Sequence, residues 1–361
     1  MKLHQLCIVC LTAFASIANA QTLKPGFEIS EFKECICMAS HFRELPGVDS
    51  SYLAPRPTFF TKKYSSPVTA FDNMWELWQR SDGVVAISLR ASVVTMKSWL
   101  CNFHAGMVGA QGECQIGGKR QYRLCDNAAA RVHAGWLTAT LSMTDDIEAH
   151  IDSCYKAGIH DFIIAGHSQG GAMAYLLTAF LREKQSLGEM PKDIRFKTYC
   201  SGAPKPGDYA FACEYEYMTR DGWAFNVVSP EDWVPEVPLS VQRTNDFRPT
   251  NPFTRIDELT DTLSFGNRLK MRFLFKLVSK HPKKAEKRLR KYLGKKVGKM
   301  LEKENNTYKL PTFAECANYA RVGQTVILKP DASYYERHQR NAKDIFEHHA
   351  YKQYFELAEK Y

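Results

Sequence analysis

The sequence predicts an α/β fold, with a mainly parallel central sheet and helices on both faces. Three observations carry this expectation. Segments of strand length, at residues 83–89, 161–165, 196–200 and 223–228, alternate with segments of helical periodicity. The runs at 83–89 and 161–165 are nearly continuous rather than alternating with polar residues, as strands buried on both faces require. Ser92, Ser168 and Asp232 each fall just past the carboxyl end of such a run, where the ligand sites of these sheets gather.

The chain has 361 residues, 45% hydrophobic and 24% charged, a composition that supports a large core and excludes disorder as the default. Residues 1–20 stand apart. Lys2 leads into an apolar run from Leu6 to Ile17 that ends in Ala18-Asn19-Ala20, the order of regions in a cleavable signal peptide. The mature chain is expected to begin at Gln21 and to be secreted or periplasmic. No later apolar stretch has the ~20 residues a transmembrane helix needs. Of 11 cysteines, Cys7 and Cys10 lie in the leader. An exported chain permits disulfides, but the odd remainder implies at least one free thiol or an intermolecular link. Cys35-Ile36-Cys37 has no second cluster to complete a metal site, so neither metal nor cofactor is expected.

In chain order, the periodicity predicts a helix near 28–43, a helix over 71–80 and a buried strand over 83–89. A short amphipathic piece over 95–102 and a glycine-rich loop over 106–118 come next. A strand at 129–133 and one helix over 137–157 lead to the strand at 161. After Ser168, Met173, Leu176, Leu177, Phe180 and Leu181 recur at helical spacing. The strands at 196–200 and 223–228 flank a helix ending near 218, and the second runs into Ser229-Pro230-Glu231-Asp232-Trp233-Val234-Pro235. Residues 341–360 read as a helix or loop–helix. With no internal repeat and no low-complexity linker, residues 21–361 read as one domain with a basic helical insertion at about 255–310.

That insertion is where the charge lies. Residues 267–303 contain 15 Lys or Arg against two Glu, more than the chain's whole net charge of +9, so the remainder is net acidic. Apolar Leu269, Phe273, Leu274, Leu277, Val278, Leu289, Leu293, Val297 and Met300 recur near helical spacing there, and Pro282 is expected to divide the segment into two helices. Two readings stand: an amphipathic surface for an anionic membrane or acidic partner, or an apolar face packed on the domain with its charges solvated. Nucleic acid is not expected as a partner of an exported chain.

Gly166-His167-Ser168-Gln169-Gly170-Gly171 is the sharpest motif. A strand that breaks into a helix through Gly-x-Ser-x-Gly forms a strained corner with the serine oxygen standing clear of the backbone. The Gln169 amide then sits at a helix N-terminus, aimed at negative charge on a substrate oxygen. Serine needs a positioned base, usually histidine held by a carboxylate. Asp232 supplies a carboxylate in a turn past a strand, with Glu231 as the neighbouring alternative. His349, His348, His338 and His281 supply rings.

These blocks resemble the class 3 lipase family, the fungal-type triacylglycerol lipases of the α/β-hydrolase fold. The resemblance rests on Val132-His133-Ala134-Gly135-Trp136, Gly166 to Ala172, Gly202-Ala203-Pro204 with Gly207-Asp208, Asp232-Trp233-Val234-Pro235, and His349 five residues before Tyr354. It implies an α/β-hydrolase fold with Ser168 as nucleophile, Asp232 as orienting acid and His349 as general base. It further implies Ser92, within Leu89-Arg90-Ala91-Ser92, as an oxyanion-hole residue beside Gln169, and a small amphipathic lid around Met96, Trp99 and Leu100. The chain departs from the pattern at Ala91 for glycine, Gln169 for leucine and Asn102 for aspartate. A polar Gln169 implies altered contact with acyl chains. The resulting expectation is an exported lipid esterase resembling triacylglycerol lipases and acting at a lipid interface. The alternatives are a phospholipase or short-chain carboxylesterase, and a non-catalytic lipid- or membrane-binding protein on the same fold.

Overall fold

Neighbouring residues of the strand Asp161–His167 enter two different cores: Phe162 and Ile164 pack on one side of the central sheet, Ile163 and Ala165 on the other. An unbroken apolar run with period-two burial is what a sheet covered on both faces produces. The computed structural model describes residues 23–42, 52–251, 256–338 and 344–361. The expected signal peptide lies outside them.

Helix α1 (Ile29–Ser40) precedes strands β1 (Phe60–Ser65), β2 (Trp75–Arg80) and β3 (Val85–Leu89). Helix α2 (Met96–Phe103) is followed by β4 (Met107–Gly109), β5 (Gln111–Gln115), β6 (Lys119–Arg123) and β7 (Arg131–His133). Helices α3 (Ala134–Leu141) and α4 (Thr144–Lys156) lead to β8 (Asp161–His167), α5 (Gln169–Ser186), β9 (Arg195–Ser201), β10 (Gly207–Asp208), α6 (Tyr209–Met218) and β11 (Ala224–Val228). The rest comprises α7 (Ile256–Thr260), α8 (Phe265–Leu289), α9 (Val297–Glu304), β12 (Tyr319–Ala320), β13 (Gln324–Ile327), α10 (Ala332–Arg337) and α11 (Tyr351–Glu359).

The main sheet runs β1-β2-β3-β8-β9-β11-β13. From β3 onward every pairing is parallel, while β2 is antiparallel to both of its neighbours. Helices α3, α4 and α5 cover one face, and α1 with α11 covers the other. The α/β-hydrolase architecture expected from sequence, a mainly parallel sheet between helical layers, is therefore present. Helix α1 is also tied down through a buried charge pair: Lys197 Nζ lies 2.7 Å from Glu31 Oε2, which accepts from Tyr199 Oη at 2.7 Å as well.

Four local expectations are corrected. Residues 75–80 are a strand, with Trp75 and Leu77 in one core and Trp78 in the other. Buried Glu76 obscured that period; its carboxylate accepts from Lys62, Ser65 and Trp78. The glycine-rich stretch 106–118 contains β4 and β5, whose Val108 and Cys114 are buried in the core together with Ile116. The helix expected over 137–157 is two, separated at Ser142–Met143, where Thr144 Oγ1 bonds back to the Leu141 carbonyl at 3.0 Å. Pro282 does not break α8. The helix geometry changes instead in a π-helical turn, Arg290–Lys296, where Gly294 comes against Gly106 and Phe313. The nine cysteines among the described residues are all free thiols.

Candidate active site

Strand β8 ends and α5 begins at Ser168, whose φ of 57° and ψ of −127° lie where an L-residue is strained. Two glycines allow the corner. A Cβ on Gly166 would sit 2.3 Å from the Gly170 carbonyl carbon, and one on Gly170 would sit 2.2 Å from the Leu89 carbonyl oxygen. The turn is closed by the Ser168 amide, which donates to the Ser201 carbonyl at 2.9 Å. The Ser168 side is half-buried, at the carboxyl edge of the sheet between β3 and β9.

Asp232 follows β11 and is buried. Its Oδ1 accepts from the Val234 amide at 2.9 Å, while Oδ2 accepts from His349 Nδ1 and from Tyr354 Oη, each at 2.7 Å. Because a carboxylate accepts at Oδ2, the network assigns the His349 proton to Nδ1. That leaves Nε2 with its lone pair, and this atom is buried without a hydrogen-bond partner. The ring is also fixed through its backbone: His167 Nε2 donates to the His349 carbonyl at 2.8 Å, and the two rings lie 4.5 Å apart. Since His167 immediately precedes Ser168, this stacking brings His349 to the corner. The structure thus joins Asp232 to His349, while the Ser168 hydroxyl makes no hydrogen bond to that ring.

The alternatives from sequence are engaged elsewhere. Glu231 accepts from Tyr335, His348 Nδ1 pairs with Tyr334 Oη, His338 pairs with Glu356, and His281 is exposed on α8. Burial raises the Tyr354 hydroxyl well above its ordinary pKa, and the adjacent Asp232 charge adds to this, so Tyr354 serves as a donor. Burial, reinforced by the facing His349 ring, lowers His167 well below the ordinary imidazole value.

A second network runs through the side chain of Gln169, the residue after Ser168. Trp136 Nε1 donates to Asn102 Oδ1 at 2.9 Å, and Asn102 Nδ2 donates to Ser92 Oγ at 2.8 Å. Ser92 Oγ donates to Gln169 Oε1 at 2.8 Å, and Gln169 Nε2 donates to Asn73 Oδ1 at 2.8 Å. Asn73 Nδ2 finishes on the carbonyls of Ala70 and Phe71. Both ends set the direction, because an indole only donates and a carbonyl only accepts. The side chain of Gln169 is therefore spent inside the protein, 1% exposed, and the altered acyl contact expected from its polarity is not what it provides. Its main-chain amide, in the first turn of α5, has no intrahelical acceptor.

Of the expected lid residues, Leu100 is buried, Met96 points outward, and Trp99 is partly exposed. The Trp99 ring centroid lies 6.2 Å from that of Phe346, which lies 6.1 Å from His349. Helix α2 therefore reaches the surroundings of His349. Sequence reasoning missed Phe346, Asn73 and the contact made by Gly202. At Gly202, φ is +53° and a Cβ would come within 2.9 Å of Asp232 Oδ2 and 3.0 Å of a His349 carbon. The glycine itself was visible in Gly202-Ala203-Pro204; Asn73 lay in a stretch read as helix.

Residues 86–242 match the family model described as lipase (class 3). The secreted mono- and diacylglycerol lipase 1 of Fusarium solani is 27% identical over 157 residues, which cover 43% of this chain and 39% of that protein. The match thus spans about two fifths of that relative's length. Among solved structures, the Rhizomucor miehei lipase–propeptide complex is similar at 17% identity, covering 60% of this chain and 65% of that one with a TM-score of 0.41. A triacylglycerol lipase from Penicillium expansum is similar at 13% identity, covering 59% and 75%, with a TM-score of 0.43. Through residues 86–242, this chain is similar to the class 3 lipase family.

Proposed function

We propose that the protein is an exported serine hydrolase that cleaves carboxyl esters of lipids through Ser168, His349 and Asp232. The observation that carries this reading is the buried His349 ring, bonded to Asp232 through Nδ1 and left with an unpartnered Nε2 beside the strained Ser168 corner. That is the arrangement a general base requires.

In the proposed reaction, Ser168 Oγ bonds to the ester carbonyl carbon as its proton passes to His349 Nε2. The carbonyl electrons move to oxygen, and the amides of Gln169 and Ser92 stabilise the resulting oxyanion. The hydroxyl of Ser92, already donating to Gln169, holds this loop rather than the substrate. Collapse breaks the ester C–O bond, and the leaving alkoxide takes the proton from His349 Nε2. Water then attacks the acyl-enzyme, giving its proton to the same nitrogen, and the carboxylic acid leaves with Ser168 restored. Asp232, accepting three hydrogen bonds, holds the ring in place and stabilises the imidazolium.

The lipid character of the substrate is supported by the family match and by exposed Val94, Met96, Trp99 and Phe103 on and before α2. The basic segment 267–303 supports contact with an anionic membrane surface in the same reading. Export is supported by the leader-like residues 1–20 and by the secreted relative; no helix among the described residues is long and apolar enough to cross a membrane. The test is hydrolysis of p-nitrophenyl esters of rising chain length and of emulsified acylglycerol, by the parent chain and by His349→Ala. The reading expects activity on both in the parent and a loss of at least about 10³-fold in the variant. An inactive parent, or an unimpaired variant, would overturn it.

A further inference from the structure

Helix α8 is 25 residues long and is held chiefly near its two ends. Near the start, Arg268 and Arg272 pair with Asp257 and Asp261 around α7. Near the end, Glu286 is buried between Arg243 and Arg290. Between these anchors Leu269, Phe273, Leu274, Leu277 and Val278 are 42–63% exposed. Leu269, Phe273 and Leu277 form one row four residues apart, and Leu274 with Val278 forms the adjacent one. Large side chains on a monomer surface are ordinary when scattered; five on consecutive turns of one helix make a continuous apolar strip.

The charges around the strip are free. Lys270, Lys276, Lys280, Lys283 and Lys284 are exposed and make no ion pair among the described residues. Both glutamates of the segment are used internally, Glu286 as above and Glu302 by the Leu310 amide at 2.7 Å. Hence the outward field of α8 is positive beside exposed hydrocarbon. An acidic protein would satisfy the charge, but only a bilayer offers anionic head groups and an apolar interior over the length of the helix.

We propose that α8 docks the protein on an anionic lipid bilayer, with Phe273, Leu274, Leu277 and Val278 entering the head-group region and the lysines meeting lipid charge. The inference deepens the proposed function and rests on that reading for its substrate. The docked arm is joined to the site. Past the π-helical turn, α9 packs on α2, where Gly298 leaves room for the His104 ring at the end of α2. The same arm that meets the bilayer thus sets the place of the helix beside His349.

The experiment is vesicle flotation of the full chain with phosphatidylcholine alone and with phosphatidylglycerol mixed in. Binding is expected only with the anionic vesicles, falling steeply between about 0.05 M and about 0.5 M salt as the Debye length shrinks. Lys270→Gln, Lys276→Gln and Lys280→Gln together should weaken it by about 100-fold, at about fivefold per charge. Phe273→Ser with Leu277→Ser should weaken it without changing the salt dependence. Neither exposed set should alter hydrolysis of soluble p-nitrophenyl butyrate. Equal binding to neutral vesicles, or parental binding by both variants, would overturn the proposal. Retention on an anionic resin without vesicle binding would overturn it in favour of an acidic macromolecule. Ser168→Ala should still float; vesicle binding by a parent chain that is itself inert toward soluble ester would sink the catalytic reading and leave docking standing.

Discussion

Asn102 donates a 2.8 Å hydrogen bond to Ser92 Oγ, and that bond dictates where the Ser92 proton goes. With an aspartate at 102 the hydroxyl would donate to the carboxylate; with asparagine it donates to Gln169. Two departures from the family pattern, at 102 and 169, are therefore one feature. Asn102→Asp alone turns the Ser92 proton away and sets its lone pairs against Gln169 Oε1, while Gln169→Leu alone strands the Ser92 and Asn73 groups. Each is expected to cost ~1–3 kcal/mol. The double variant should recover part of the loss, with a coupling of ~1–3 kcal/mol in a double-mutant cycle by denaturant unfolding. Additive effects would contradict the shared network.

Tyr354 shares Asp232 Oδ2 with His349 and also accepts from the Ser229 amide. Removing its hydroxyl in Tyr354→Phe takes one donor from a buried carboxylate and leaves that amide unpaired. A loss of ~1.5–3 kcal/mol in unfolding free energy is expected. The turnover number should fall while KM changes little, because in the proposed mechanism the ring that Asp232 orients acts in the chemical step. A KM effect with unchanged turnover would place Tyr354 in substrate binding instead.

Gly202→Ala probes the floor of the site. Its Cβ would meet Asp232, His167 and His349 at about 3 Å, on a backbone already at φ +53°. Ester hydrolysis should drop by at least about 10²-fold in a chain whose circular dichroism remains native, since small displacements of reacting groups are that costly. Near-parental turnover would show that the pair has slack.

His104, His133 and His167 are buried, and burial lowers all three imidazoles from the usual value, His104 to about 4. Unfolding returns them to about 6.5, so between those values the unfolded chain binds more protons and stability falls as the pH falls. The contribution is fully present above about 6.5 and is lost as pH drops toward 4, about 3 kcal/mol for His104 alone. Urea midpoints should therefore decline already between about pH 6.5 and about pH 5, before most carboxylates titrate. A flat profile over that window would contradict neutral burial of these rings.

The parts legible in the sequence were those whose local pattern has one physical cause. Strands β3, β8 and β11 are short, largely apolar runs buried on both faces, and Gly166 with Gly170 announces a corner that tolerates no Cβ. The pairing of Asp232 with His349 was readable too, although 117 residues separate them. Strand β2 was hidden because Glu76, buried among donors, breaks its apolar pattern. Edge strand β13 shows mostly exposed residues and gives little period at all. The Asn73–Gln169–Ser92–Asn102 relay was out of reach because a glutamine after the serine looks like pocket lining until its amide is seen to be fully engaged.

The most direct measurement is covalent labelling of the folded full chain with a fluorophosphonate probe, read by mass spectrometry of the peptides. The account predicts a single adduct on Ser168, concurrent loss of ester hydrolysis, and neither labelling nor turnover in Ser168→Ala. A folded parent that stays unlabelled, or a Ser168→Ala chain that labels and hydrolyses like the parent, would contradict it.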